Sequence, residues 1–375
     1  MIFSYVSLDP VSVTKPGAHT ADGKRTFEGI PGIEQIPSGR LFATWYSGGT
    51  GEGCENYVLL KFSDDDGKTW SRTIAVADPP DPRVRTFDPV IWYAPNGNLY
   101  WFWAQSCGGP SKSEDIFDGI AGVWYAILEN PDDDPDNFRF SEPRRIANGI
   151  MMNKPTVLKD GTWCMPCSIW RGNYLAHDSL GIVPGAYMVV STDNGKSFSV
   201  RGSVDTTDPD GKNSFDEHIF IERQNGNICT YFRTESGISE SISADSGSTW
   251  SKPVPARTLT APSSRFFIRR LRSGRLLAVI NASTTVRKNL TAYLSEDDGN
   301  TWIGGLLLDS RENVSYPDGT EGSDGIYLVY DMERYAGGYI LMAKITEKDI
   351  LAGKLTSANS FLAREIDHSL PCPQA

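Results

Sequence analysis

Short apolar and aromatic runs recur along the chain, and each is entered through a glycine turn. They are Leu41–Trp45 after Gly39, Leu99–Trp103 after Gly97, Trp163 after Gly161, Ile228–Phe232 after Gly226, Leu276–Val279 after Gly274 and Tyr339–Ala343 after Gly337-Gly338. Apolar residues at helical spacing are scarce. Runs of this length and composition, bounded by turn residues, read as β-strands. One such strand per unit predicts six similar units.

A second pattern fixes how the units are built. The segments Ser63-Asp64-Asp65-Asp66-Gly67-Lys68-Thr69-Trp70, Ser191-Thr192-Asp193-Asn194-Gly195-Lys196-Ser197-Phe198, Ser243-Ala244-Asp245-Ser246-Gly247-Ser248-Thr249-Trp250 and Ser295-Glu296-Asp297-Asp298-Gly299-Asn300-Thr301-Trp302 share one form, S-x-D-x-G-x-[TS]-[WF]. Each reads as a hairpin turn: the Asp caps turn amides, the Gly takes positive φ, the Thr or Ser ties the turn and the aromatic ring packs beneath it. The last three copies start 52 residues apart, the length of a four-stranded unit, and the first gap is 128. A unit without the motif therefore belongs between, at Val123–Leu128, the acidic turn Asp132–Asp136 and the exit Phe140-Ser141-Glu142-Pro143, which is similar to Trp250-Ser251-Lys252-Pro253. Repeats of this period predict an all-β, six-bladed β-propeller, one domain over residues 1–375, with the strand around Ile2–Ser7 closing the ring beside the C-terminal strand.

Composition agrees with that architecture. The chain's 375 residues exceed what one compact core usually holds, whereas a propeller grows by adding blades. A net charge of −11 argues against a nucleic-acid partner, and no apolar run reaches membrane-spanning length. No secretory signal is visible at Met1–Tyr5, so a soluble protein is expected, cytoplasmic unless a leader was removed. The Cys164-x-x-Cys167 pair lacks a second pair, and the four histidines are scattered, so no metal and no cofactor is expected.

The four turn motifs resemble the Asp boxes of the sialidase superfamily, and the resemblance covers nearly the whole chain. It implies a carbohydrate partner and a site at the central end of the propeller, with an arginine triad for a substrate carboxylate, a tyrosine nucleophile paired with a glutamate, and an acidic acid/base catalyst. Ser315-Tyr316-Pro317-Asp318 resembles the family's nucleophile segment, which makes Tyr316 the nucleophile. Phe215-Asp216-Glu217-His218, with Arg233 sixteen residues on, is similar to the stretch that supplies the partner glutamate, Glu217, and a carboxylate-binding arginine, Arg233. Arg287 resembles the last arginine of the triad. A tyrosine suits this task because a neutral nucleophile can approach an anomeric carbon that bears a carboxylate.

Two departures from the family bear on substrate. Where the family has an arginine near the start of the first blade, this chain reads Phe27-Glu28-Gly29-Ile30-Pro31-Gly32. Arg25, or Arg85, Arg171, Arg265 or Lys154, then compensates, or the ligand is not a sialic acid. Where the family places an aspartate on a mobile loop, this chain has Glu52 between glycines, with Glu55 as the alternative. Arg85 and Asp88 in Arg85-Thr86-Phe87-Asp88-Pro89 and Lys154 in Asn153-Lys154-Pro155 are candidates for lining the site, and Trp45, Trp92 and Trp170 for stacking on a sugar. His218 offers a general base, which keeps a uronate lyase open beside the retaining hydrolase. A non-catalytic carbohydrate-binding propeller is the third reading.

Overall fold

The computed structural model describes residues 6–107, 115–117, 119–171, 181–207 and 215–370. Six antiparallel sheets follow one another along the chain. Blade 1 comprises β1 (Val13–Thr14), β2 (Glu28–Gln35), β3 (Leu41–Ser47), β4 (Tyr57–Ser63) and β5 (Ala75–Ala77); blade 2 comprises β6 (Val84–Tyr93), β7 (Leu99–Cys107), β8 (Gly122–Leu128) and β9 (Arg144–Asn148). Blade 3 is β10 (Thr156–Val157), β11 (Trp163–Ile169), β12 (Gly185–Ser191) and β13 (Ser199–Val204), and blade 4 is β14 (Ile219–Glu222), β15 (Ile228–Thr234), β16 (Gly237–Ser243) and β17 (Val254–Pro255). Blade 5 is β18 (Phe267–Arg270), β19 (Leu276–Asn281), β20 (Lys288–Ser295) and β21 (Ile303–Glu312), and blade 6 is β22 (Val314–Glu321), β23 (Ile326–Met332), β24 (Tyr339–Ile345) and β25 (Phe361–His368). The molecule is the six-bladed propeller that the repeats predict.

All four repeated motifs join the third and fourth strands of a blade. In each, the Ser hydroxyl donates to the Asp carboxylate and accepts from the Gly amide, while the Thr or Ser two residues past the Gly donates to the same Asp through both amide and hydroxyl. Blade 2 lacks the motif yet keeps its exit. Ser141 bonds Ile127 through amide and hydroxyl, as Ser251 bonds Ile242 and Ser71 bonds Phe62.

The apolar cores lie between blades. Trp45 and Tyr57 pack with Tyr327 and Met342 between blades 1 and 6, and Trp92 and Tyr100 pack with Trp163 between blades 2 and 3. This division lets the chain exceed the size of a single-core domain. Cys164 and Cys167 fall in different clusters, because residues three apart on β11 face opposite sides of the sheet, and so do not converge on a common ligand.

Of the strand expected around Ile2–Ser7, Ile2–Tyr5 lie outside the described residues and Val6–Leu8 form a 3-10 turn, and β1 pairs with β5 at the outside of blade 1. Besides their apolar core, blades 1 and 6 are joined by polar contacts. Arg25 meets Glu28 and Asp367 at 2.5 Å each, Lys61 meets Asp367 at 2.6 Å, and the Leu370 amide donates to the Arg25 carbonyl. In blade 6 the strand equivalent to the other glycine-led strands is β23, entered at Gly325, and Tyr339–Ile345 is the third strand. A short helix, Glu347–Ala352, also forms, started by a Thr346–Asp349 capping box and ended at Gly353. His177 and Cys372 lie outside the described residues.

Candidate active site

Three inner strands carry the same distortion. In β2, β6 and β22 the register against the second strand shifts between Gly29 and Gly32, Phe87 and Val90, and Ser315 and Asp318. At each shift a residue with positive φ precedes a proline: Ile30 (55°), Asp88 (49°) and Tyr316 (53°). Proline has no N–H for the ladder, and a left-handed residue turns its side chain out of the sheet. All three side chains line one cleft at the channel. Glu217 (φ 41°), just ahead of β14, reaches the same cleft through the same unusual conformation. Strained backbone of this kind in non-glycine residues gathers where a site demands a fixed direction.

The cleft encloses about 250 Å³. Its lining combines charged residues, Glu52, Arg85, Asp88, Glu217, Arg233, Arg287 and Arg334, with Tyr316 and Tyr335 and with apolar residues, Ile30, Phe87, Ile116, Phe117, Met152, Trp170 and Phe215. A larger hollow of about 480 Å³ sits on the outer rim at the first motif, where Arg40 and Lys344 already neutralise Asp64, Asp66 and Asp324. The charged groups lining that hollow are mainly carboxylates, whereas the central cleft, among the described residues, gathers four arginines against three carboxyl groups.

Tyr316 is the hub. Its hydroxyl donates to Glu217 Oε1 at 2.9 Å, and Arg233 Nη1 donates to the same carboxylate oxygen at 2.9 Å and to the tyrosine oxygen at 3.2 Å. Arg334 and Arg287 stand over the Tyr316 ring, 4.3 and 5.1 Å from its centre. Burial and the Glu217 charge push the Tyr316 hydroxyl above its usual pKa, against the pull of the arginines, so at neutral pH it carries its proton. The second Glu217 oxygen is buried and accepts no hydrogen bond from the described residues.

Glu52 comes in on the loop between β3 and β4. It accepts from Tyr335 Oη at 2.8 Å and from Arg334 Nη1 at 3.2 Å. Although burial opposes it, Arg334, Arg85 and the Tyr335 hydroxyl hold Glu52 below the ordinary carboxylate range. Asp88 behaves oppositely: burial and the neighbouring Glu52 charge push it up to about 8. The cleft thus holds one carboxylate that is ionised and one carboxyl that is neutral at pH 7.

The structure brings Tyr316, Glu217, Glu52, Arg233, Arg287 and Asp88 together and leaves three candidates elsewhere. Arg25 is buried at the closure of the ring, saturated by Glu28, Asp22 and Asp367, and does not face the cleft. Lys154 is deeper in the channel, bonded to the Ile91 carbonyl and Glu34 at 2.8 Å each and to the Ile33 carbonyl. His218 alternates to the far side of its strand from Glu217. Its ring nitrogens contact Ser168 Oγ and the Tyr187 carbonyl, and burial pushes it down to about 4. A lyase therefore loses its expected base.

Of the other arginines considered for the vacant family position, Arg171 is tied to Thr207 and Asp205 and Arg265 to Asn153 and Asp318, so only Arg85 reaches the cleft. Trp45 and Trp92 are interblade packing, while Trp170 does line the cleft. Glu55 folds against Gly49, away from the lining.

Arg334 and Tyr335 were not legible in the sequence. They sit in the turn between β23 and β24, which no motif marks. A usable signal was Glu333-Arg334-Tyr335 interrupting blade 6, starting sixteen residues after Pro317, where the ring brings it back beside β2.

A protein-family model described as BNR repeat-like domain matches residues 39–329. No curated protein matches. Among solved structures, a protein of unknown function from Dyadobacter fermentans is 16% identical over 88% of this chain and 98% of its own, with a TM-score of 0.62. The intramolecular trans-sialidase from Ruminococcus gnavus is 14% identical over 94% of this chain and 99% of its own, with a TM-score of 0.61. The Trypanosoma rangeli sialidase is 14% identical over 88% of this chain and 56% of its own, with a TM-score of 0.63. At these identities the likeness is one of fold.

Proposed function

Because the chain belongs to the BNR repeat-like family, with a propeller of the sialidase fold, we propose that it is an exo-acting, retaining glycoside hydrolase for a terminal acidic sugar, sialic acid or a relative. The observation that carries this reading is the buried Tyr316–Glu217 hydrogen bond of 2.9 Å inside an arginine-rich cleft. It pairs a nucleophile with a base within reach of a bound ring.

Glu52, ionised in the free cleft, takes up a proton as the acidic substrate binds beside it. Tyr316 Oη then attacks the anomeric carbon while its own proton passes to Glu217 and the glycosidic bond breaks, the leaving oxygen taking the proton from Glu52. Water, deprotonated by Glu52, then displaces the tyrosine, which recovers its proton from Glu217. Two inversions give net retention. Arg233 keeps Glu217 oriented and stabilises the phenolate that develops. The apolar wall of Phe117, Trp170 and Phe215 faces the less polar flank of the sugar.

The reading is tested by hydrolysis of a fluorogenic α-sialoside and a panel of other glycosides, uronides included, by the wild type and Tyr316→Phe. The expected result is turnover of an acidic glycoside that falls by at least about a thousandfold in the variant. Turnover unaffected by the substitution, an unsaturated product absorbing in the ultraviolet, or binding of acidic sugars with no turnover contradicts it.

A further inference from the structure

We propose that Arg334 is the residue that receives the substrate's carboxylate in the place left by Gly29, so that an anion-holding arginine missing from the first blade is supplied by the last. This inference rests on the reading of the cleft as a site for an acidic sugar. Gly29 lies on β2, against the stem of Arg334. A Cβ built there would stand 2.8 Å from Arg334 Cδ and 2.9 Å from both Cγ and Nε. The stem of Arg334 therefore fills the space that a side chain at position 29 would enter, and the glycine is what admits it.

The fit is two-sided. Asp331 holds Arg334 Nη2 at 2.8 Å, and the same Asp331 oxygen accepts from the Ile30 amide, one residue from Gly29, at 2.9 Å. Ser315, adjacent to Tyr316, bonds Asp331 at 2.7 Å and Arg334 Nη2 at 3.3 Å. One carboxylate thus fastens the guanidinium to β2 and to the nucleophile's strand at once. Behind the cleft Arg334 is anchored, and in front it stands over the Tyr316 ring beside Arg287.

Charge counts the same way. Among the described residues, four lining arginines face three carboxyl groups, and one of those, Asp88, is held neutral. A cleft with surplus cations next to an apolar wall selects an anionic group on a partly apolar ring. Arg334 also has a second partner to release: its Nη1 is on Glu52. A substrate carboxylate that takes this guanidinium frees Glu52 and places a negative charge near it, which raises the affinity of Glu52 for the proton it must donate.

The test compares binding of N-acetylneuraminic acid and of glucuronic acid, each with its carboxyl free and as the methyl ester, to wild type, Arg334→Met and Arg334→Lys. The wild type is expected to prefer one free acid to its ester. In Arg334→Met, affinity for that acid drops roughly 10- to 100-fold while the ester changes by less than about threefold. Arg334→Lys, which preserves the charge against Asp331, lies between the two and guards against loss of fold in the Met variant. An acid-to-ester ratio that is unchanged in both variants overturns the assignment of Arg334 and leaves the acidic-sugar reading intact. A wild type indifferent to esterification of both sugars overturns that reading, and the assignment with it.

Discussion

At the scale of single residues, the cleft is organised by a few side chains held in unfavourable states. Asp88 shows the cost most clearly. It is 3% exposed, has a φ of +49° and is pushed up to about 8 by burial and by Glu52. Its folded pKa lies above its unfolded one, near 3.9, so its contribution to stability is full below the unfolded value and is lost as pH rises towards about 8. Asparagine imitates the neutral acid. Asp88→Asn is therefore expected to gain on wild type in melting temperature between about pH 5 and about pH 8.5, read by thermal unfolding across that range. A difference that does not vary with pH contradicts the neutral assignment. The sequence marked Asp88, Tyr316 and Ile30 by the proline that follows each, but not the positive φ that aims them, because that conformation is imposed by the bulge and the partner strand.

At the scale of elements, the recurrent turn does more than close a hairpin. Its glycine presses on the preceding blade: a Cβ on Gly67 would meet Met342 at 2.6 Å, on Gly195 Tyr100 at 2.7 Å, on Gly247 Met188 at 2.1 Å and on Gly299 Tyr231 at 2.5 Å. Each turn is thus a latch between neighbours, and blade 1 latches onto blade 6. Gly247→Ala combines a φ of +93° with this collision, so a loss of about 2 kcal/mol or more is expected in denaturant unfolding. Loss within about 0.5 kcal/mol contradicts the latch. The turn chemistry could be read from Ser, Asp, Gly and Thr spacing because all its hydrogen bonds are local. The contact with the preceding blade could not, since the neighbour is set by the closed ring.

At the scale of the whole molecule, the ring brings distant segments into one site: Glu52 from blade 1, Glu217 and Arg233 from blade 4, and Tyr316 and Arg334 from blade 6. The motif spacing revealed the blades, and the resemblance pointed to Tyr316, Glu217 and Arg233. Of the residues considered for the missing arginine's place, Arg85 lines the cleft; Arg334 could not be read from the sequence, because only the closed ring returns it to Gly29 from three hundred positions away. Beneath the site, Lys154 from blade 3 bonds Glu34 of blade 1 and lies 3.5 Å from Asp318 of blade 6, while Arg265 of blade 5 lies 3.7 Å from Asp318. These buried charges clamp the inner strands together and give the cleft a fixed floor. Removing one partner of such a set leaves a buried charge unpaired, which explains why a lysine sits there with no role in the cleft.

The most direct measurement of the central claim, that Tyr316 is the nucleophile of a retaining hydrolase, is peptide mapping by mass spectrometry after incubation with a fluorinated acidic glycosyl fluoride. Such a reagent slows breakdown of the glycosyl-enzyme intermediate. The account predicts one sugar adduct, on the peptide that contains Tyr316, and none in Tyr316→Phe. An adduct on Glu52, Asp88 or Glu217, or turnover of the reagent without any adduct, contradicts it.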